Sequence, residues 1–347
     1  MDHSQAFISY IKKRLDYFHS NKKDFHIIIV GTNDPLAKGE IKITKTIDCL
    51  LGICKKYNLV YQYYQQENEF IEAFLSGKID SSKAVVYNRT TMGPPNSKRS
   101  LIPAFCGLND IKCLGNDAYR MGLLCNKFHY SSILRNIGIS VPDFWCYCSQ
   151  YGWITTPPPE GIKVIAKLIN ENNKVSLTNA SVDVFSENFN FLVESLSHKY
   201  NQPVIVQKFI AGYEITIPVF MDLESEVIVP QILGIYTAQQ HRAGDQIMCE
   251  ADLSYLRNTD CREKYYDFSN INSQVCENIR KDATLIAKAL GIKGFSRFDV
   301  RIDDSYQPFF IDLGSMPGIL PTCSFDYIFA EYGFTYEDFL ITTMSMD

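Results

Sequence analysis

Several common signatures are missing from this sequence, and each absence disfavours a class of site. No CxxC pair occurs and there are only six histidines, so the ligand spacing of a structural zinc site is absent. The eleven cysteines are scattered along the chain, which is typical of small buried thiols in a reducing compartment. The GxGxxG signature of a dinucleotide site is also absent.

Long apolar runs and a strong charge of one sign are missing too. No window reaches the ~18 apolar residues that a membrane span needs, and residues 1–30 lack the apolar core of a signal peptide. The net charge of −5 gives no basic field for nucleic acid or an anionic membrane. We therefore expect a cytoplasmic protein that binds neither membranes nor nucleic acid.

The chain does contain enough apolar sequence for several cores. Its 347 residues, 46% of them hydrophobic, predict two or three domains. The N-terminal part alternates apolar runs, the first at Phe25–Val30, with helical patterns such as Thr44–Tyr57. This alternation predicts an α/β domain with a parallel sheet. A ligand would bind at the strand ends, which the loops Gly31–Glu40 and Asn88–Arg99 follow.

The C-terminal part of the chain has the pattern of a β-hairpin that carries charged groups. Phe295–Ile302 and Gln307–Leu313 are rich in β-branched and aromatic residues and flank a turn-prone segment. Asp299 lies on the first strand and Asp312 on the second, and Arg297 shares the face of Asp299 because side chains alternate along a strand. Two converging carboxylates suit Mg²⁺ with substrate phosphates, although Asp299 and Arg297 could instead form a purely structural ion pair.

Two lysines lie in contexts that suit phosphate binding. Lys127 follows Asn126 within a pattern that predicts one long helix over Asn116–Gly138, and Lys167 is embedded in a short apolar strand, Val164–Leu168. A lysine in such a strand either extends into solvent at an edge or reaches a buried anion. The strand by itself leaves both alternatives open for Lys167.

These elements, in this order, resemble the ATP-grasp fold and specifically its D-alanine–D-alanine ligase branch. The resemblance covers most of the chain from about Asn116 to the end and is strongest in the C-terminal hairpin. Its four fragments are Asn126-Lys127, Val164-Ile-Ala-Lys167, Gln207-Lys-Phe-Ile-Ala-Gly-Tyr-Glu214, and the pair GFSRFDV and FIDLGSMPG. They occur in the family's order and with matching spacing.

The resemblance implies a three-domain α/β architecture. An N-terminal parallel-sheet, Rossmann-like domain (1–117) would be followed by two α+β lobes that clamp ATP (118–206 and 207–347). It also implies an ATP-dependent ligase that joins a carboxylate to an amine through an acyl phosphate, with small amino-acid substrates and a homodimeric state. The cofactors would be ATP and one or two Mg²⁺ ions, with Mn²⁺ as an alternative ion.

Roles for individual residues follow from the same resemblance. Asp299 and Asp312 would hold magnesium, while Arg297 and the Gly318 backbone N–H would stabilise a tetrahedral oxyanion. The residues implied in ATP binding are Lys127, Lys167, Lys174, Gln207, Lys208, Phe209, Ile210 and Glu214. The candidates on the substrate side are Asn88, Arg89, His241, Arg242, Cys323 and Ser324.

The chain departs from the family pattern at one metal position and on the substrate side. Gly314 stands where the family has a metal-binding Asn, and the family's substrate-binding Glu is absent. The residues that replace the family's acidic cluster include Arg89, Lys98 and Arg99. We therefore expect a substrate that is more anionic or larger than D-alanine, although these basic residues could equally form a solvated loop.

Two other functions stay open from the sequence. A kinase-like enzyme on the same fold would transfer a phosphoryl group without passing an acyl phosphate to an amine. A non-catalytic relic would only bind nucleotide or a partner protein. Gly314 at the family's Asn position favours the relic, whereas retention of both acids, the arginine and both lysines opposes it.

Overall fold

The computed structural model describes residues 3–31, 40–90, 98–170, 178–221, 226–236, 244 and 261–345. Its helices are α1 (His3–Asn21), α2 (Glu40–Lys56), α3 (Glu67–Leu75), α4 (Lys98–Leu108), α5 (Ala118–Cys125), α6 (Lys127–Asn136), α7 (Glu187–Tyr200), α8 (Cys261–Lys264), α9 (Ser269–Leu290), α10 (Ser324–Glu331) and α11 (Tyr336–Met344). Its strands are β1 (His26–Val30), β2 (Val60–Tyr64), β3 (Ala84–Asn88), β4 (Lys112–Cys113), β5 (Phe144–Cys148), β6 (Gly152–Trp153), β7 (Lys163–Leu168), β8 (Val182–Val184), β9 (Val204–Lys208), β10 (Tyr213–Met221), β11 (Val227–Ile228), β12 (Leu233–Ile235), β13 (Tyr265–Asp267), β14 (Phe295–Ile302) and β15 (Pro308–Gly314). The strands form three sheets, of four, five and six strands.

The first sheet is parallel, in the order β2-β1-β3-β4. Successive β1 residues face opposite sides of the sheet, and both sides are covered. Ile27 and Ile29 join a core that includes residues of α1 and α2, whereas Ile28 and Val30 join a core with residues of α3 and α4. Burial on both faces explains why β1 is a continuous apolar run, and it confirms the predicted parallel α/β sheet.

The strand order of this sheet creates a crevice at its carboxyl edge. The chain passes from β1 to β2 on one side and then crosses to β3 on the other side of β1. The Arg89 N–H donates to the Val30 carbonyl at 2.7 Å, which holds the ends of β1 and β3 together. Ligands of open α/β sheets bind at such reversal points, and Gly31 and Arg89, directly after β1 and β3, border this crevice.

The second and third sheets are antiparallel. The second has the order β6-β5-β9-β7-β8 and packs against α7. The third has the order β13-β12-β10-β14-β15, with β11 on β10, and α9 supplies much of its apolar cover. One aromatic-rich core joins α1 to the third sheet and the last helices, through Phe7, Phe220, Phe325, Phe329 and Phe339. This core also contains β1 and β3 residues, so it packs the first sheet against the third sheet.

One predicted element is wrong in extent. The expected helix over Asn116–Gly138 is two helices, because Asn126 has an extended backbone (φ −95°, ψ 101°) and ends α5. The Asn126 side chain accepts a hydrogen bond from the His129 N–H at 2.9 Å and thereby caps α6. Lys127 consequently lies in the first turn of α6 instead of in the middle of a long helix.

The domain bounds 1–117, 118–206 and 207–347 stay a prediction. Strand β9 extends to Lys208 and pairs with β5 and β7, so the last of these bounds falls within a strand of the second sheet. In the described ranges, no helix combines the length and the hydropathy that a bilayer crossing requires.

Candidate functional site

Strands β14 and β15 bring three charged side chains together, as the sequence predicts. The strand register pairs Asp299 directly with Asp312. Arg297 Nε donates to Asp299 Oδ1 at 3.0 Å and its Nη2 donates to Oδ2 at 2.9 Å, which makes the pair bidentate. Thr216 on β10 adds a hydrogen bond to Asp299 Oδ1 at 3.0 Å. Asp299 is therefore held by two neighbours in one orientation.

An irregularity in β15 sets the position of Asp312. Val300 pairs with Phe310 whereas Asp299 pairs with Asp312, so one additional residue, Ile311, lies between the two pairs. This is the arrangement of a β-bulge, which changes the direction of the following side chains. With the bulge, Phe310 can pair in the core while Asp312 faces Asp299.

Helix α6 supplies two partners for Asp312. The Tyr130 hydroxyl donates to Asp312 Oδ1 at 2.9 Å, and Lys127 Nζ lies 3.6 Å from the same oxygen. Lys127 is buried, with 6% of its side chain exposed. Burial raises the pKa of the Asp312 carboxyl, but the positive charges of Lys127 and Lys167 outweigh it and hold that pKa below its ordinary value. Asp312 is ionised at neutral pH.

Lys167 reaches the same group of charges from the second sheet. Its Nζ donates to Gln207 Oε1 at 3.0 Å across the paired strands β7 and β9. Burial lowers the pKa of Lys167 to about 8, with the charges of Lys127 and Arg301 acting in the same direction and those of Asp312 and Glu214 opposing. Lys167 therefore points inward toward the site, and a polyanion bound there would stabilise its protonated, positively charged form.

The predicted adenine and ribose positions lie next to Lys167. Gln207 and Lys208 end β9, and Phe209 follows with its ring between two cations: Lys163 Nζ lies 5.0 Å and the Arg301 guanidinium 5.6 Å from the ring centre. Glu214 on β10 is buried and forms an ion pair with Arg301, with 2.8 Å between Oε2 and Nη2. Ile210 is half-buried at the end of this segment.

The predicted substrate positions gather where the first sheet meets the loop after β15. Arg89 Nη1 donates to the Pro317 carbonyl at 3.2 Å, beside the exposed Gly318. Cys323 caps the N-terminus of α10 without a side-chain hydrogen bond, and burial raises the pKa of its thiol to about 12. Ser324 is buried in the first turn of α10.

The Asn88 side chain forms structural hydrogen bonds in this crevice. Its Oδ1 accepts from the Thr90 N–H at 3.1 Å and hydroxyl at 2.8 Å, and its Nδ2 donates to the Arg99 carbonyl at 3.1 Å. Both ends of the amide are thus used to hold the chain after β3. The remaining predicted residues, Lys174, His241 and Arg242, lie outside the described residues.

Sequence reasoning missed three residues that complete the site. Thr216 and Arg301 lie on strands, and a signal for Arg301 exists because it shares the strand face of Arg297 and Asp299 at two-residue spacing. Tyr130 lies three residues after Lys127, which places both on one face of a helix. Thr216 shares the strand face of the predicted ribose ligand Glu214 at the same spacing, but only the register of β10 with β14 brings it to Asp299.

The donor set at Asp299 and Asp312 fits magnesium bound together with phosphates. Both donors are carboxylate oxygens, and Mg²⁺ commonly uses one or two carboxylates and fills its other positions with water and substrate oxygens. Over the residues that the structure describes, no group of three or more His, Cys, Asp or Glu side chains is assembled for a metal. A fully protein-ligated site is therefore not present among them, and a phosphate-bearing ligand would have to complete the coordination.

Comparison with known proteins places the fold. Residues 180–345 match the family model "D-ala D-ala ligase C-terminus". The chain is 21% identical over 242 residues to the D-alanine–D-alanine ligase of Nitrosomonas eutropha, covering 69% of this chain and 72% of that protein. It is 23% identical over 257 residues to the corresponding ligase of Ectopseudomonas mendocina, covering 73% and 72%.

Solved structures give the same result over nearly the whole chain. The D-alanine–D-alanine ligase of Bacillus anthracis complexed with ATP aligns with a TM-score of 0.63 at 15% identity, covering 92% of this chain and 97% of that one. The VanG D-Ala:D-Ser ligase of Enterococcus faecalis aligns with a TM-score of 0.63 at 16% identity, covering 92% and 98%. The resemblance inferred from the sequence and the ATP-grasp fold are confirmed.

Proposed function

We propose that this chain, an ATP-grasp protein similar to D-alanine–D-alanine ligases, is an ATP- and Mg²⁺-dependent ligase that forms an amide bond between a carboxylate and an amine. The observation that carries the proposal is the direct pairing of Asp299 with Asp312 beside Arg297. The buried Lys127 and the half-buried Lys167 both place a positive charge near Asp312. ATP complexed with the Bacillus anthracis relative supports nucleotide use.

The nucleotide would lie between the second and third sheets. Lys127 and Lys167 would compensate the charge of the α- and β-phosphates as compact cations. Gln207 and the backbone of Lys208 and Ile210 would bind the adenine edge, and Glu214, oriented by Arg301, would accept from the ribose. Asp299 and Asp312 would hold Mg²⁺, which supplies charge neutralisation of the phosphates when bound.

The chemistry then follows from the groups at the phosphate end. The substrate carboxylate attacks the γ-phosphate, so that an acyl phosphate forms and ADP is the leaving group. The amine attacks the acyl carbon, and the tetrahedral oxyanion collapses to the amide with loss of phosphate and a proton. Arg297 is held in place by its bidentate contact with Asp299, and it would stabilise that oxyanion together with the Gly318 backbone N–H.

We infer that the substrate differs from D-alanine. The nucleotide half keeps the pattern of the family, whereas the crevice beside the first sheet carries Arg89 and Arg99 and lacks the family's acidic residues. A guanidinium replaces carboxylates there, so the complementary group on the substrate changes sign. An amino acid or small peptide with a larger or more anionic carboxylate component fits this change.

Transfer of labelled oxygen tests the proposed reaction. With a panel of D- and L-amino acids labelled with ¹⁸O in the carboxylate, the phosphate that the enzyme releases should carry ¹⁸O, because the acyl phosphate passes one carboxylate oxygen to phosphorus. ADP formation should also require the amine. A kinase-like enzyme would release ADP without an amine and form no amide, and that result would overturn the ligase assignment.

A non-catalytic nucleotide-binding protein is the second candidate, and Gly314 is the observation that favours it. Asp312 and Gly314 lie on the same face of β15, and the family's metal-binding Asn would stand at Gly314. Tight binding of Mg·ATP with no ADP formation over the whole panel of acids and amines would support this candidate against the ligase.

Titration of Lys167 should make nucleotide affinity depend on pH. Its pKa of about 8 means that the free protein loses this charge as the pH rises, while bound phosphates favour the protonated form. Above about pH 8 the Kd of Mg·ATP should therefore rise by up to about tenfold per pH unit. Calorimetry in buffers of different ionisation heat should show proton uptake on binding. In Lys167→Arg, whose guanidinium does not titrate in this range, the slope should vanish, and a persisting slope would assign it to another group.

Restoring the family's amide at Gly314 should strengthen metal binding. A β-carbon at Gly314 would lie 3.3 Å from the Arg297 carbonyl oxygen, a tight contact that a small strand shift relieves. The Asn side chain would then lie beside Asp312 and add an oxygen ligand. Gly314→Asn should lower the Mg²⁺ concentration for half-maximal ADP formation several-fold. Gly314→Ala, which adds the same β-carbon without the amide, is the control, and an equal effect of both variants would contradict a ligand role.

A further inference from the structure

A small cavity with both polar and apolar walls lies between the first sheet and the loop after β15. Its volume is about 30 Å³, and Tyr87, Asn88, Arg89, Ser315 and Met316 are among the residues that line it. One water needs about 10–15 Å³ measured in this way, so the cavity has room for two waters or one carboxylate group. It lies at the carboxyl ends of β3 and β4 in the parallel sheet, and the carboxyl edge is where open α/β sheets bind ligands.

Arg89, which lines this cavity, and Arg99, whose charge acts on Arg89, have no carboxylate partner in the described part of the chain. Arg89 makes its side-chain hydrogen bond to a backbone carbonyl, that of Pro317. Arg99, at the start of α4, is 4% exposed, and its Nε has no hydrogen-bond partner. Among the described residues, neither guanidinium forms an ion pair, in contrast to Arg297 and Arg301. Burying a cation is costly unless a negative group accompanies it.

A second buried polar group, the Ser315 hydroxyl, also favours a bound negative group in the cavity. Ser315 is 4% exposed and borders the cavity, and its hydroxyl oxygen has no hydrogen-bond partner among the residues that the structure describes. Buried hydroxyls are normally hydrogen-bonded. The Ser315 hydroxyl and the Arg89 guanidinium are both hydrogen-bond donors. Among the described residues, the Pro317 carbonyl is the one acceptor that they contact. A bound anion would accept hydrogen bonds from both donors.

The electrostatics agree with this geometry. Burial lowers the pKa of Arg89, and the Arg99 guanidinium acts in the same direction, whereas the weakly acidic Tyr87, Cys323 and Tyr336 side chains raise it. The Arg297 guanidinium in turn acts to lower the pKa of the Cys323 thiol, so Cys323 is near both guanidinium groups. Arg89 is thereby close to the proposed reaction centre at Arg297 and Gly318.

We propose that this cavity is an anion subsite in which Arg89 and the Ser315 hydroxyl hold a second negative group of the carboxylate substrate. This inference rests on the proposed ligase function, because it assigns the substrate class of the same site. One carboxylate of the substrate would be activated beside Arg297, and a further carboxylate or phosphate would bind Arg89. The substrate class is then an acidic amino acid or a related compact dianion.

Binding of matched ligands tests the subsite without requiring turnover. In the presence of Mg²⁺ and a non-hydrolysable ATP analogue, calorimetry on the full chain compares both enantiomers of aspartate and glutamate with alanine. At least one acidic amino acid should bind about tenfold or more tightly than alanine, as expected for a charge-assisted hydrogen bond. Adding 2-amino-3-phosphonopropionate shows whether a carboxylate or a phosphate-type group is preferred. Equal Kd values for acidic ligands and alanine would overturn the proposal.

Variants separate anion binding from a structural role of Arg89. Arg89→Gln should abolish the preference for acidic ligands while leaving the Kd of the ATP analogue unchanged, and Arg89→Lys should retain part of the preference. Ser315→Ala should weaken it several-fold. Arg135→Gln, which changes an exposed arginine on α6, is the matched control. Arg89→Gln could instead lower only the melting temperature, while Arg89→Lys and Ser315→Ala keep the full preference for acidic ligands. In that case Arg89 has only a structural role and the proposed subsite is wrong.

The outcomes also distinguish this inference from the ligase assignment. If acidic ligands bind through Arg89 but no amide forms, the result would support the subsite and contradict the ligase function. Amide formation from neutral amino acids, with a preference that Arg89→Gln leaves unchanged, would keep the ligase function and remove the subsite.

Discussion

Replacing Arg297 by alanine should lower turnover by roughly 10²–10³-fold, the loss expected when one oxyanion donor is removed. The Kd of Mg·ATP should change far less, because Arg297 would contact the developing oxyanion and not the adenine or ribose. Asp299 raises the pKa of Arg297 and outweighs the effect of burial, so the guanidinium stays charged throughout the reaction. Steady-state ADP formation and calorimetric ATP binding, measured on the same preparation, check the two quantities separately.

Arg297→Lys distinguishes charge from geometry in this experiment. It keeps the positive charge but cannot reproduce the two parallel hydrogen bonds to Asp299. We expect turnover between that of the wild type and that of Arg297→Ala, with Arg135→Gln as the control for loss of an arginine elsewhere. Equal losses of turnover and ATP affinity in Arg297→Ala would contradict an oxyanion role and indicate a ground-state phosphate contact.

Replacing Asp312 by asparagine should nearly abolish Mg²⁺-dependent turnover and also destabilise the protein. The change removes the carboxylate that we assign to the metal, and it removes the negative charge that lies 3.6 Å from the buried Lys127 ammonium. A hydrogen-bonding interaction with a charged group contributes about 1.5–3 kcal/mol, so the melting temperature should fall. The amide can still accept the Tyr130 hydrogen bond, which preserves the local packing. Turnover against Mg²⁺ concentration and thermal unfolding are the measurements.

A double variant tests whether the stability loss comes from the lysine. Asp312→Asn combined with Lys127→Met removes both charges, so it should recover most of the lost stability but none of the activity. Asp304→Asn, in the exposed turn of the same hairpin, controls for the loss of one acidic charge. Wild-type Mg²⁺ dependence in Asp312→Asn would contradict the assignment of Asp312 as a metal ligand.

Much of the site could be predicted because strand periodicity is local. The spacing of Arg297 and Asp299 placed them on one face, and their bidentate contact follows. The strand lysine Lys167 was ambiguous from its own segment, since an edge and a buried orientation give the same pattern. Its contact with Gln207 depends on β7 pairing with β9, a long-range pairing that no local pattern encodes.

Other parts of the site depend on contacts between segments that are distant in the chain. Tyr130 reaches Asp312 across 182 residues, and Thr216 reaches Asp299 across 83. Arg89 meets the Pro317 carbonyl across 228 residues. The sequence predicted basic character for this crevice but left a solvated loop equally open. Burial of Arg99 and the contact of Arg89 with the loop after β15 favour the crevice.

The parallel N-terminal sheet, the charged hairpin and the order of the ATP-grasp elements are encoded locally, because hydrophobic periodicity and short motifs act within a segment. The facing of Asp312 and Asp299 depends instead on strand pairing, through the additional residue Ile311 in β15. The same packing sets the start of α6 at Lys127 and brings Arg89 to a cavity beside Ser315. The physical reason is that strand register, helix caps and buried charge are fixed by packing between segments, and the free energy of that packing is not contained in any one of them.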